Sequence, residues 1–469
     1  MISRSWVWLG AVVGLAIFAD AVPVRGQTLE EAMIEAYVGN PTLAAQRASL
    51  RATDEQVPQA LSNWRPTLTA EGEAGTEAVN NSAATGTARG QHRDPRSMSV
   101  ALAQPLYRGG RTLAATREAE NAVRAARARL AAVEQSVLLD ATTSFVNVFR
   151  DQAVLRLNIA NEQRLRRQLE ATRDRFEVGE ITRTDVFQAE ARLARATADR
   201  IQAEGTLEAS RAAYRNAVGS APGVLSQPAM PTDVPESFAD AVDIAEKDNP
   251  SVAAAEFDER AAIDNIDEVR GELLPTISLN GSASRSFETA SEDSRVDDVS
   301  ATLNLTVPLY QSGAAYSRLR EARQLAAQAR RTLERDRRDT IESATRAWHD
   351  LETARAQIQS FTTEVEANQV ALEGVEREAA VGARTVLDIL DAEQELLDAQ
   401  VNLVRAERDA LVAAFELKTA LGAMTAARLG LNVALYDADA HYQEVRGKWF
   451  GGSSSGEVDT SGGGGTPSD

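Results

Sequence analysis

Two periods of apolar and polar positions run along this chain, and the switch between them falls at prolines. Ahead of Pro66 and Pro275 the spacing is helical. After them "TLTAEGEAG", "SMSVALAQPL", "TISLNGSAS" and "VSATLNLTVPL" alternate, the pattern of strands with one apolar and one polar face. In the second pair, Ile277, Leu279, Leu303, Leu305 and Val307 fall on one face and Ser, Asn and Thr on the other. Polar stretches, "NNSAATGTARGQHRDP" and "ETASEDSRVD", separate the members of each pair. Two antiparallel hairpins are therefore expected, at about 66–106 and about 275–309.

The helical period then returns and persists. Residues 111–178 contain neither glycine nor proline, and at ~1.5 Å per residue they make a rod of about 100 Å. The run from Ala314 to Glu373 is also unbroken, with Gly374 expected to interrupt it. Leu138, Phe145, Val148, Leu155 and Ile159 form a coiled-coil-like stripe on the first rod. Such a rod cannot bury its stripe within one compact globule, so it must pack beside others. Return helices from about Ile181 to Val218 and Arg384 to Leu421 supply partners. Before each hairpin comes a shorter helical stretch. The first opens at Thr28 with Glu31 three residues on, a capping-box pattern, restarts at Pro41 and runs to about Asn63.

The chain is one unit written twice. "GNPTLAAQRASL" is echoed by "DNPSVAAAEFDE", "QPLYRGGR" by "VPLYQSGA", and "VGEITRTDVFQAE" by "VGARTVLDILDAE". From Pro105 and Pro308 the copies stay in register to Gly219 and Gly422. The expected organisation is a first repeat over 27–219 with its turn near 179, an inter-repeat segment over 220–238, and a second repeat over 239–422 with its turn near 382. A C-terminal segment over 423–450 and a disordered Gly/Ser-rich tail over 451–469 follow.

Composition narrows the function. A net charge of -19 argues against a nucleic-acid partner. With no cysteine, disulfides, thiolate metal sites and a lipidated N-terminal cysteine are excluded. Residues 1–26 read as a secretory signal, with Arg4, an apolar run from Trp6 to Phe18, and cleavage after Ala21 or Gly26. No later stretch has the ~20 apolar residues of a spanning helix. His92, in a predicted loop, His349 and His441 are scattered without metal-ligand spacing, and there is no P-loop. No enzymatic activity, cofactor or metal is expected. Trp64, Tyr107 and Tyr310, beside the strand ends, suit either a membrane-interface belt or plain packing.

Four strands are too few to close a barrel, and unpaired edges cannot stand in lipid. Three chains would supply twelve. In "PLYRGGR", the paired "VG…D" turns and "VGARTVLDILDAEQELLDAQVNLVRAERDALVAAFELKTALG", the sequence resembles the TolC family of outer-membrane efflux and secretion channels. The resemblance implies a mixed, mostly α fold: a homotrimer sharing a 12-stranded transmembrane β-barrel, four strands per chain, above a periplasmic α-helical coiled-coil tunnel. An equatorial belt would come from the N-terminal, inter-repeat and C-terminal segments. It implies an outer-membrane exit duct of a tripartite efflux or type I protein secretion system. Its partners would be a periplasmic adaptor (membrane fusion) protein, contacting the turns at Gly179 and Gly382, and an inner-membrane ABC or RND-type pump. The competing reading is a periplasmic coiled-coil adaptor, which the two matched hairpins disfavour.

The resemblance also assigns roles. Asp388 and Asp391 match aspartates that line the closed periplasmic entrance, where rings of carboxylates repel anions, attract cations and raise their own pKa. Their like charges, three residues apart, are expected to weaken the helix slightly; without the family match they read equally as solvated acids. Arg384 matches a gate-closing arginine, with Thr184 and Asp185 as its partners. The sequence departs from the pattern at Ala379, where some members carry a tyrosine, so one closing link is absent or replaced.

Overall fold

The computed structural model describes residues 26–80, 90–291 and 293–452. The expected signal segment up to residue 25 and the tail from 453 lie outside them.

Three helices lead into the first strand: α1 (Leu29–Gly39), α2 (Pro41–Asp54) and α3 (Gln56–Ser62). Thr28 and Glu31 close the expected capping box, and Asn40 caps α2 with Pro41 at its first turn. The reading of one stretch to Asn63 missed a break at Glu55. Its cause is local: Pro58 has no N–H for the Asp54 carbonyl, and its ring clashes with that carbonyl. Asp54, beside the break, is fully buried against His441, 3.0 Å away. His441 is therefore a buried clasp for the C-terminal segment, not an ordinary polar residue near the chain end.

The strands are β1 (Thr67–Ala74), β2 (Glu77–Asn80), β3 (Gly90–Arg93), β4 (Arg96–Arg108), β5 (Thr276–Phe287) and β6 (Arg295–Thr306). β1, β4, β5 and β6 form one antiparallel sheet in that order, and β2–β3 extends the first hairpin as a separate ribbon. His92 thus lies on a strand, where a loop was expected. The polar run "GQHR" pairs with "EAVN" because pairing continues along the hairpin, which composition does not show.

Register puts most of the large apolar side chains on one side, while Val296 and the small Ala101 and Ala103 fall on the other. Leu68 pairs with Leu102, Ala70 with Val100, Ile277 with Leu305, and Leu279 with Leu303. The reverse side carries Thr67, Thr69, Glu71, Ser97, Ser99, Asn280, Ser282, Ser300 and Thr302. The apolar side is bare: Leu68, Met98 and Val299 are 71%, 70% and 85% exposed.

Below the sheet stand α4 (Arg111–Glu177), α5 (Arg183–Val218), α6 (Phe238–Asp248), α7 (Pro250–Gly271), α8 (Ala314–Ala380) and α9 (Val386–Ala420). α4 and α8 have 67 residues each. Gly374 does not interrupt α8: a lone glycine costs about 1 kcal/mol, which a helix of that length packed along α9 absorbs. On α4, Leu138, Phe145 and Val148 are fully buried, with Leu155 half-buried beside them.

That cluster is where the connecting segments meet. Leu225, from between the repeats, and Met424 and Leu431, from after the second, join α1, α2 and α4. Gln27 bridges to Leu225 in parallel, and the Tyr436 amide donates to the Tyr37 hydroxyl at 3.0 Å. A short helix, α10 (Ala440–Val445), then packs by Tyr442 near Val57 and Val123. No helix among the described residues is long and apolar enough to cross a membrane.

Candidate functional site

The far ends of the helical hairpins carry the residues expected to form a gate. Each turn is written by the same letters, V-G-x-x-T-x-x-D. Gly179 and Gly382 take left-handed φ of +83° and +79°. Around them Glu180 N donates to Arg175 O at 2.9 Å and Ala383 N to Glu378 O at 2.9 Å, which closes the ends of α4 and α8. Three residues later Thr182 and Thr385 cap the return helices. A helix stop and a helix start thus fit within a few residues, and the tips are compact and exposed.

The caps change the reading of the aspartates. Asp388 Oδ2 accepts from the Thr385 amide and hydroxyl, each at 2.8 Å. Asp185 does the same with Thr182, at 2.9 and 2.8 Å. Asp388 therefore supports the start of α9 instead of weakening it, since a carboxylate there satisfies amides and meets the positive end of the helix. These hydrogen bonds hold its carboxyl below the usual range. Within one chain that is the opposite direction to the rise expected from a ring of like charges.

Asp391 points to a different partner, the guanidinium of Arg192 on α5. The tension between neighbouring acids is thus relieved by separate partners. Arg192 ties the first repeat to the second, and sequence reasoning missed it. Asp391 alone signals no partner, because the meeting of α5 and α9 is tertiary.

Arg384 is not brought to Thr184 or Asp185 in the chain. Its Nε donates to Glu378 at 2.9 Å, across its own turn. Thr184 is exposed, and the Asp185 carboxylate is held by Thr182. Ala379 packs beside Leu372, Ile389 and Leu396, so the place of the absent tyrosine belongs to an α8–α9 apolar contact.

Behind the tips, Leu165 and Leu169 of α4, Ala189 and Ala196 of α5, and Val386 and Leu390 of α9 form one cluster. Two buried acids sit nearby, and neither was singled out from the sequence. Glu162 is satisfied: it accepts from Arg166 at 2.9 Å and Thr197 at 3.1 Å, and Arg200 lies 2.7 Å away. Glu393 on α9 is 6% exposed, and its Oε2 has no hydrogen-bond partner. Burial pushes its carboxyl up, against the opposing pull of Arg164 and Arg167, with Glu376 adding to the rise.

A group raised in the fold adds stability at low pH and loses it as pH rises through the folded value. Glu393→Gln is thus expected to raise Tm at about pH 7, with the gain shrinking as pH falls toward 4.5. A gain that does not change with pH would show that Glu393 is not the titrating group.

Comparison with known proteins agrees with this architecture. The profile of the family described as "Outer membrane efflux protein" matches residues 33–220 and again 241–423, once per repeat. The chain is 33% identical over 446 residues to the outer membrane efflux protein BepC of Brucella suis biovar 1 (strain 1330), covering 94% of this chain and 96% of BepC. It is 25% identical over 443 residues to the outer membrane protein TolC of Escherichia coli (strain K12), covering 91% and 89%. Among solved structures, the Campylobacter jejuni CmeC outer membrane channel superposes with a TM-score of 0.77 at 15% identity, over 89% of each chain.

Proposed function

This chain belongs to the outer membrane efflux protein family, and from that premise we propose that three copies close into one duct, gated at the helical tips. The chain is an outer-membrane exit duct of efflux or type I secretion, with its helical tunnel in the periplasm. Members of the family are channels rather than enzymes.

One observation carries the threefold reading: the four-stranded sheet has a bare apolar face and two open edges, β1 and β6. In an antiparallel sheet of four, the two edge strands run in opposite directions. The β6 edge of one copy can therefore pair antiparallel with β1 of the next, and the ring closes without a mismatch. Three copies give twelve strands, the apolar face turned to lipid and the Ser/Thr/Asn face to a wet lumen. Trp64, Tyr107 and Tyr310, exposed at the strand ends, then stand at the level of the headgroups. Heat-modifiable migration of a trimer from the outer-membrane fraction tests this. A monomer that stays folded in detergent-free buffer would end it.

At the other end, Asp388 and Asp391 from three chains line the aperture. The Arg192–Asp391 pair holds the two hairpins of each chain together in the closed state. Arg384 and the Thr184–Asp185 turn come together only between neighbouring chains. A periplasmic adaptor seats on the exposed tips at Gly179 and Gly382 and connects the duct to an inner-membrane ABC or RND-type pump. Repeat units, inter-repeat segment and C-terminal segment keep the boundaries given above, with the signal removed.

The closing link can be measured. An ion pair this accessible is worth about 0.5 kcal/mol per chain, so three together shift the gate by roughly tenfold. Arg192→Ala is expected to raise single-channel conductance of the purified trimer in planar bilayers. It should do so more than Arg384→Ala, because Arg384 is satisfied within its own turn. Equal conductance in Arg192→Ala and the parent would remove the link from the gate.

A further inference from the structure

The C-terminal segment does not stop at the equatorial cluster. It is pinned at α10, where Val445 is fully buried and His441 meets Asp54, and then runs up to the base of the sheet. There the Arg65 guanidinium donates to the Lys448 carbonyl at 2.7 Å and lies 4.8 Å from the centre of the Trp449 ring. Arg65 is two residues ahead of β1, and the carbonyl of its neighbour Trp64 accepts from Gln104 of β4 at 2.9 Å. Residues near the end of the described chain are thus held at the rim where the sheet begins.

What they present there is large and aromatic. Trp64 is 56% exposed, Trp449 58% and Phe450 86%. Between Trp64 and Trp449 opens a cavity of about 490 Å³, into which Arg65 and Arg446 also reach. Arg446 is paired with Glu120 at 3.0 Å. The Arg65 guanidinium has no carboxylate within 4 Å among the described residues; it meets the Lys448 carbonyl and the Trp449 ring face. Large aromatics with a polar edge favour the membrane–water boundary, and an uncompensated guanidinium matches a phosphate.

We propose that residues 446–450 form an interfacial anchor. Trp449 and Phe450 enter the periplasmic leaflet of the outer membrane, and Arg65, with Arg446, takes the phosphate of a glycerophospholipid in the Trp64–Trp449 cleft. This rests on the outer-membrane duct reading, which fixes this rim as the periplasmic one. It extends the apolar face of the strands, so the lipid contact is continuous from sheet to segment. The C-terminal segment then helps to set the depth of the barrel in the bilayer.

Full-length trimer in nanodiscs containing phosphatidylglycerol brominated near the glycerol tests it. The emission contributed by Trp449 is the difference between the parent and Trp449→Phe. It is expected to be mostly lost in brominated lipid and protected from aqueous acrylamide. Arg65→Ala is expected to release bound phosphatidylglycerol, read by native mass spectrometry of the trimer. A Trp449 signal that survives bromination and is quenched by acrylamide overturns the anchor, and unchanged lipid retention in Arg65→Ala overturns the phosphate site. If the channel still conducts in either case, the duct reading stands and this inference alone falls. A chain that neither trimerises nor inserts defeats both.

Discussion

Replacing both Asp388 and Asp391 by asparagine is expected to abolish most of the cation preference of the channel. On the proposed gate, three chains would bring six carboxylates to the narrowest part of the path, within about one Debye length of any ion that passes. Each ring favours cations entering from the periplasm and opposes anions. The amide variant keeps the side-chain size and removes the charge; at position 391 it also weakens the Arg192 link, so ion selectivity and not conductance is the readout. At position 388 an asparagine side-chain oxygen can still accept from the Thr385 amide and hydroxyl, so the start of α9 is kept. The readout is the reversal potential under a salt gradient in a planar bilayer, which should move close to zero. An unmoved reversal potential would place both residues away from the ion path.

The pH dependence separates the two roles of Asp388. Its carboxyl is depressed by the Thr385 hydrogen bonds within the chain, so cap and charge are both present above its unfolded value and are lost only as pH falls through the lower folded one. Selectivity is then expected to hold as pH falls to about 4, near the ordinary aspartate value of 3.8. A loss beginning well above that would mean that repulsion within the trimeric rings outweighs the cap.

What could be seen in advance follows from which interactions are local. Periods, prolines and capping boxes are local, so the two hairpins, the paired turns and the long rods were legible, as was the duplication. The T-x-x-D letters at Thr182–Asp185 and Thr385–Asp388 also announce a cap, yet Asp388 was read first as a gate acid. One residue serves the turn within its chain and, in the proposed assembly, is also offered to the aperture. Arg192, Glu393 and His441 were missed for a different reason. Each is defined by a charged group on another helix: Asp391 pairs with Arg192, the charge of Arg164 acts on Glu393 without a bond, and Asp54 meets His441; helix register leaves no mark on either segment taken alone. Gly374 erred the other way: a local signal of about 1 kcal/mol was overridden by packing along the whole of α8.

The largest structural effect is expected at the junction of sheet and tunnel. Gly109 and Ser312 occupy matching places in the two repeats, "YRGGR" and "YQSGA", and both have left-handed φ, +64° and +52°. Backbone conformation alone therefore does not demand glycine, since the second copy carries serine. Close approach does. A Cβ on Gly109 would collide with the carbonyl oxygen of Gly271, at the end of α7, and come within 2.8 Å of Leu274 Cβ. A Cβ on Gly271 would in turn lie 2.6 Å from the Gly109 oxygen. Two glycines thus let the strand-to-helix turn of the first repeat cross the helix that leads into the second hairpin. Gly109→Ser adds about 1–2 kcal/mol of backbone strain and about 1–3 kcal/mol of overpacking in each of three chains. Ser312→Gly introduces neither. Gly109→Ser is expected to remove the heat-modifiable trimer from the outer membrane, while Ser312→Gly assembles and conducts like the parent. If Gly109→Ser assembles normally, the crossing is looser than its contacts require, and the left-handed turn is all that either repeat needs.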